Sequence, residues 1–203
     1  MEYNIHNKSE NIHVFGLFKK LRKTLMANKL NFCRVRNVKL PTRGTPGSCG
    51  IDLYMPADLV RIDFNKMAEI TKTDPRIDFD YNTGYLKTLY LAPGEETLIP
   101  SGLKVKVPEG YVLKIENKSS IAAIKDVLIG SCIIDNDFEG EILINLHNVS
   151  NKKTAVFQPN DKICQAILYK IDMPEVAEIQ TPAELFKGSN SERGTGGFGS
   201  TGA

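Results

Sequence analysis

The sequence predicts an all-β subunit, and three observations carry that expectation. Residues fall on two alternating faces with period two. Leu103, Val105 and Val107 alternate with Lys104 and Lys106, and Ile163, Gln165, Ile167, Tyr169 and Ile171 alternate with Cys164, Ala166, Leu168 and Lys170. Proline–glycine turns such as Ala92-Pro93-Gly94 and Pro108-Glu109-Gly110 punctuate the runs. From Leu91 onward no long segment of helical period interrupts them, which argues against α/β winding. Short strands at this spacing suit a sandwich, barrel or jelly roll.

Taken in order, the chain opens with a separable basic extension, residues 1–30. Val14, Leu17, Phe18, Leu21 and Leu25 recur at helical spacing, with Lys19, Lys20, Arg22 and Lys23 largely on the other side, so a short amphipathic helix is expected there. The β domain spans 31–171. A strand-like run from Phe32 to Leu40 is followed by the loop 41–47 and a strand through Ile51-Asp52-Leu53-Tyr54. Residues 55–90 mix Asp, Lys and Thr with Pro56, Pro75 and Gly84, and read as a surface insertion with a short helix near Asn65–Thr71. Tyr111–Glu116 is a further strand. Residues 133–141 read as a β-hairpin: two isoleucines, a polar turn, then the apolar run Ile142–Leu146. Residues 172–203 form a linker-like arm and a glycine-rich tail, with five glycines between 194 and 203.

Composition bounds the function. The 203 residues carry a net charge of +2, but residues 1–39 hold nine Lys/Arg against two Glu, leaving −5 for the rest. The basic balance therefore belongs to the N-terminal segment and gives no reason to expect nucleic acid on the main domain. That segment or the 55–90 stretch is a candidate surface for a protein partner. No apolar run approaches the roughly 20 residues of a membrane span, and the Met-Glu-Tyr-Asn start lacks signal-peptide order. An intracellular, cytoplasmic protein is expected. Cys33, Cys49, Cys132 and Cys164 are widely spaced, and His6, His13 and His147 show no metal-ligand spacing, so neither zinc nor a disulfide framework is expected.

Two stretches bear chemistry. A hairpin at 133–141 can form a slot walled by backbone amides and carbonyls, with Asp135 entering the turn as a candidate base. Asp also favours turns through its own side-chain-to-backbone bonds, so Asp135 and Asp137 read equally as turn residues at this point. Asp52, between apolar neighbours, reads as a strand-end acid pairing with a nearby Lys or Arg. The tail Arg193-Gly194-Thr195-Gly196-Gly197-Phe198-Gly199-Ser200-Thr201 joins a guanidinium fork, phosphate-cradling glycines and an aromatic face, a composition that suits a nucleotide lid.

With these residues in view, the sequence resembles the homotrimeric dUTPases in five ordered motifs: Pro46–Leu53, Lys118–Ala122, the 130–141 stretch, Asn160–Gln165 and the 193–202 tail. The resemblance covers about 31–54 and 91–203, and the extensions are similar to those of phage or viral members. It implies a distorted jelly-roll (β-clip) subunit and a homotrimer with active sites shared between subunits. It implies Mg²⁺-dependent hydrolysis of dUTP to dUMP and diphosphate, which limits uracil in DNA and supplies dUMP. By the same resemblance, Asp135 is the base for a water attacking the α-phosphorus. Asp52 holds a water of the metal ion. Lys118, Ser119, Ser120 and Gln165 contact the α/β-phosphates, and Arg193 with Gly196, Gly197, Gly199, Ser200 and Thr201 closes over the γ-phosphate. Phe198 stacks on uracil, Phe138 lies under the deoxyribose, and hairpin backbone reads the uracil edge.

Four positions depart from the family pattern. Lys118 and Lys162 stand where Arg is usual, keeping the charge but losing the planar fork. Cys132 replaces a glycine and Phe138 a tyrosine. Two rivals differ in class. A dCTP deaminase needs a glutamate where Asn145 stands, and an amide cannot shuttle protons. A nucleotide-switched regulatory protein would keep the site without turnover.

Overall fold

The computed structural model describes residues 29–130, 133–192 and 194–196. Expectations that fall on 1–28, Cys132, Arg193, Gly197, Phe198, Gly199, Ser200 and Thr201 lie outside the described residues. The chain divides after Ile171 into two compact units.

In chain order the first unit holds β1 (Asn31–Arg34), β2 (Thr42–Arg43), β3 (Ile51–Tyr54), α1 (Arg61–Thr71), β4 (Arg76–Phe79), β5 (Leu86–Leu91), β6 (Glu96–Pro100), β7 (Leu103–Lys106) and β8 (Tyr111–Glu116). It continues with α2 (Ser119–Lys125), β9 (Val127–Ile129), β10 (Ile133–Ile134), β11 (Leu143–Asn148), β12 (Ala155–Phe157) and β13 (Lys162–Lys170). The strands form four sheets: β1–β7, β10–β8–β13–β3–β2, β6–β11–β9 and β12–β5–β4. Every named pairing is antiparallel.

The alternation read from the sequence is the physical basis of these strands. In β7, Leu103 and Val105 are buried while Lys104 and Lys106 face water. In β11, Ile144, Leu146 and Asn148 are buried in turn. β8 and β13 run side by side from Tyr111↔Lys170 to Glu116↔Gln165 and supply Leu113, Ile115, Ile163, Cys164 and Ala166 to the core. Burial pushes the Cys164 thiol pKa up, and the nearby Asp52 charge adds to that shift.

Three expectations change. The Phe32–Leu40 run is a strand only to Arg34, because Arg36 leaves the sheet to join the ion pairs described below. The 55–90 stretch is not a surface insertion: Leu59, Phe64, Leu86 and Leu89 are core residues, and β5 lies between β12 and β4. Its helix starts at Arg61, four residues before the expected start. Val60 at its N-cap has no side-chain acceptor, which hid the start from sequence reading. Asp63 compensates by accepting the Val60 N–H at 3.0 Å, and Lys72 ends the helix in the left-handed region (φ 59°).

The third change concerns 133–141. Ile133 and Ile134 do not pair with the run that follows. They pair with Lys114 and Leu113 of β8, whereas β11 pairs with β6 and β9. The hairpin is formed by β9 and β11, and 133–141 lies in the wide connection between them. The turn chemistry was legible: the Phe138 N–H donates to the Asp135 carbonyl at 3.3 Å. A two-residue strand, however, carries too little pattern to name its partner.

The second unit contains α3 (Pro182–Leu185). Thr181 caps it, its Oγ1 accepting the Glu184 N–H at 3.2 Å, with Pro182 at the first helical position. Gly196 lies in this unit. No helix among the described residues is long and apolar enough to cross a membrane.

Candidate active site

The site residues assemble around two places in the first unit. The first is a corner where β3, β13 and the start of α2 meet. Register puts Gln165 opposite both Asp52 and Glu116. Asp52 is 2% exposed, which no lone carboxylate tolerates cheaply. Lys118 donates to its Oδ1 at 2.8 Å, and Lys162 Nζ stands 2.6 Å from Oδ2. Lys162 covers Oδ2 as a close ion pair, and that oxygen has no access to solvent. Burial works against the charged carboxyl, but hydrogen bonds from Lys118 and Lys162 and their charges outweigh it and hold Asp52 below its ordinary range. The Asp52 hydrogen bond raises Lys162 in return.

Two ammonium groups against one carboxylate leave this corner with an excess positive charge. Each ammonium has three donors and spends one on Asp52, so donors remain for anionic oxygens. Ser119 and Ser120 stand exposed beside Lys118. Gln165 Nε2 donates to the Asn117 carbonyl at 2.9 Å, which directs the amide along this corner. A Cβ at Gly50 would lie 1.9 Å from Gln165 Oε1, so Gly50 is the residue that makes room for Gln165.

The second place is the Asp135 turn. Ile133, Ile134, Asp135, Phe138, Glu141 and Leu143 line an open cavity of about 210 Å³. Asp135 is exposed there. The Phe138 ring lies over Gly140, where a Cβ would come within 2.4 Å of Cζ. Asp135 sits one residue beyond the Ile134↔Leu113 pair, and Glu116, at the Lys118 end of β8, is some four residues further. At ~3.3 Å per residue that separates the two places by roughly 13 Å or more within one chain.

Sequence reading missed several participants. Gly50 and Asn117 are the first two. Asn145, weighed in the sequence only as the position where a deaminase needs glutamate, has its Oδ1 buried without a partner beside Gly130, whose own N–H donates to the Asn145 carbonyl at 3.0 Å. Arg36, Asp63 and Glu141 complete the set. Only Gly50 carried a local signal, as a glycine within a strand pattern.

No group of three His, Cys, Asp or Glu among the described residues is arranged to hold a metal ion. Asp52 could serve Mg²⁺ only as a partner for a metal-bound water, and only with Lys162 moved off Oδ2, which it now covers.

A family model described as dUTPase matches residues 79–202. The chain belongs to the dUTPase family. It is similar to the deoxyuridine 5'-triphosphate nucleotidohydrolase of Finegoldia magna, at 38% identity over 114 residues, covering 55% of this chain and 75% of that protein. The enzyme of the same name from Fusobacterium nucleatum is 32% identical over 133 residues, covering 64% and 86%. Among solved structures, a Staphylococcus bacteriophage 80alpha dUTPase with dUpNHpp superposes with TM-score 0.63 at 21% identity, covering 87% of this chain and 99% of that one. A dUTPase from phage phi11 of S. aureus, described with a structural Mg(II) ion, superposes with TM-score 0.55 at 19% identity, covering 76% and 97%. The dUTPase family match begins at residue 79, after α1, so the helix and the strand entering it lie outside the matched region.

Proposed function

We propose that this chain hydrolyses dUTP to dUMP and diphosphate inside the cell, as a homotrimer whose active sites join residues of different subunits. The observation that carries the reading is the Asp52 corner. A buried carboxylate braced by two lysines, next to Ser119, Ser120 and Gln165, is an anion site with no other evident structural need for two cations.

In this reading the corner binds the triphosphate. Lys118 and Lys162 neutralise the α- and β-phosphates, and Ser119 and Gln165 donate to their oxygens. Such preplaced donors are worth most where charge develops. Asp135 supplies the base. Its carboxylate can orient a water and draw a proton from it. The water oxygen forms a bond to the α-phosphorus, the bridging oxygen to the β-phosphorus leaves with the diphosphate, and the water proton passes to Asp135. Mg²⁺, when bound with the nucleotide, supplies charge neutralisation on the phosphate oxygens. Asp52 would accept a hydrogen bond from one of its waters once Lys162 turns from Oδ2 toward the phosphates.

Phe138 would lie under the deoxyribose, where its bulk excludes a 2′-hydroxyl. The strand pair β9–β11 offers the backbone that reads the uracil edge. The tail residues Arg193, Gly196, Gly197, Phe198, Gly199, Ser200 and Thr201 would close over the γ-phosphate and base.

Separation and size support sites shared between subunits. Asp135 and the Asp52 corner are too far apart within one chain to act on one phosphorus. The Asp135 cavity, at about 210 Å³, also falls short of the ~300–1,000 Å³ typical of ligand pockets. A second subunit brings a corner to each Asp135 and supplies the missing wall. The deaminase alternative is disfavoured by Asn145.

The test is diphosphate release from dUTP, dTTP, dCTP and UTP with Mg²⁺, alongside the native mass. The expected result is release from dUTP well above the others and a mass of three chains. Absence of diphosphate from dUTP, or ammonia from dCTP, would sink the reading.

A further inference from the structure

One partly buried ionic cluster takes no part in the chemistry above. Arg36 stands between two acids far away in sequence. Its Nη2 and Nη1 donate to Asp63 Oδ1 and Oδ2 at 2.9 and 3.2 Å, a two-pronged bond to the first turn of α1. Its Nε donates to Glu141 Oε1 at 2.9 Å, and the Gly102 N–H donates to the same oxygen at 2.7 Å. Asp63 Oδ2 also accepts the Val60 N–H, so it holds the helix start and Arg36 together. Gly102 (φ +73°) is pressed against this junction: a Cβ there would meet Val38 at 2.9 Å and Arg36 Cβ at 3.0 Å. The Ser101 N–H donates to the Ile142 carbonyl and the Ile142 N–H to the Leu103 carbonyl, both at 2.9 Å, which ties down the chain just after Glu141.

The place of Glu141 makes this more than a brace. It lines the cavity shared with Asp135 and Phe138. It directly follows Gly140, the glycine on which the Phe138 ring rests. The C-terminal end of the Asp135 turn is therefore set by Glu141, Glu141 by Arg36, and Arg36 by Asp63 on a helix outside the family-matched region. A planar guanidinium is suited to this, because its fork fixes direction as well as charge.

We propose that Arg36 is a positioning residue for the nucleoside end of the site, clamping the Asp135–Glu141 turn to α1 through Glu141 and Asp63. The inference rests on the dUTP reading for its substrate. The clamp sets how closely Phe138 approaches the sugar, and leaves the phosphate corner, on the opposite end of β8, untouched.

The experiment compares wild type, Arg36→Ala, Arg36→Lys and Asp63→Asn in the full chain. It measures KM and kcat for dUTP, the preference for dUTP over UTP, the binding of dUMP by calorimetry, and inhibition by inorganic triphosphate. For Arg36→Ala we expect KM for dUTP to rise about tenfold and the preference over UTP to fall by a similar factor, with triphosphate inhibition unchanged. Arg36→Lys should recover part of this loss, because it keeps the charge but not the fork. A variant with unaltered KM, preference and dUMP affinity overturns the proposal, as does an equal loss of triphosphate inhibition, which would mark a general loss of structure. If Arg36→Ala does not fold, Asp63→Asn is decisive. It keeps the Arg36–Glu141 bond and should weaken dUMP binding about threefold, and unchanged binding there overturns the clamp. Wild type that binds dUMP but releases no diphosphate from dUTP would defeat the functional reading alone, since the dUMP comparison still tests the clamp.

Discussion

The Asp52 corner and the Asp135 turn are built on opposite principles. At the corner, two lysines hold a buried carboxylate from separate elements, and a glutamine amide beside them is anchored on the Asn117 carbonyl. At the turn, the carboxylate is exposed, the local backbone makes one long hydrogen bond of 3.3 Å, and the residues after it depend on the Arg36 clamp. The corner is braced within one chain, whereas the turn stands open. In the proposed reading an anion is held by fixed charge at the corner, and a nucleoside at the turn needs further walls, which a second subunit and the Phe138 ring would supply. The difference locates where substitutions should act on binding, on turnover or on stability.

The sharpest break in the comparison is Asp135→Asn. It removes the proposed base while leaving the corner intact. Turnover of dUTP should fall by about 10²–10⁴-fold, with the thermal midpoint and inhibition by triphosphate near wild type. Nearly full turnover in that variant would show that Asp135 is not the base. Gly50→Ala tests the corner from the other side. Its methyl group would occupy the place of Gln165 Oε1, swinging the amide away from the Asn117 carbonyl. Triphosphate inhibition should weaken about tenfold, roughly one hydrogen bond to a charged group, while dUMP binding through the turn is spared. Equal weakening of both would merge the two places into one.

The smallest effect is on stability against pH. Asp52 titrates below its ordinary 3.8 in the folded chain. Its contribution is therefore fully present above the unfolded value and is lost as pH falls through the lower folded value. Lys162 titrates above 10.5, so its contribution is present below that pH and fades as pH rises through the raised value. Denaturant midpoints of wild type and Asp52→Asn should accordingly converge in acid and differ near neutrality. Curves that stay parallel down to strong acid would remove the ion pairs from the account.

Much of the fold was legible because the strands that matter alternate. β7 was readable from its period-two pattern, β8 from the turn before it, and β13 from a long apolar-rich strand-like run. The plain reading of Asp52, a strand-end acid that pairs with lysines, describes its contacts in the structure. What was hidden depended on separation in sequence. Arg36 meets Asp63 and Glu141 across 27 and 105 residues, and no local pattern encodes such a meeting. The pairing of Ile133–Ile134 with β8 was hidden for a related reason, since the turn after them looks the same whichever strand lies beside them. The 55–90 stretch misled through its polar composition. Leu59, Phe64, Leu86 and Leu89, spread among Asp, Lys and Thr, are buried all the same.

Cys164 gives the molecule an internal reporter. Its thiol is fully buried on β13 next to the corner, and its raised pKa leaves almost no thiolate to react. Cys33 and Cys49 are exposed. A maleimide or iodoacetamide should modify those two in the native protein and reach Cys164 only when β13 separates from its neighbours. The rate at which the Cys164 peptide gains label then clocks the opening of the sheet beneath the phosphate site, and a nucleotide that binds the corner should slow that clock.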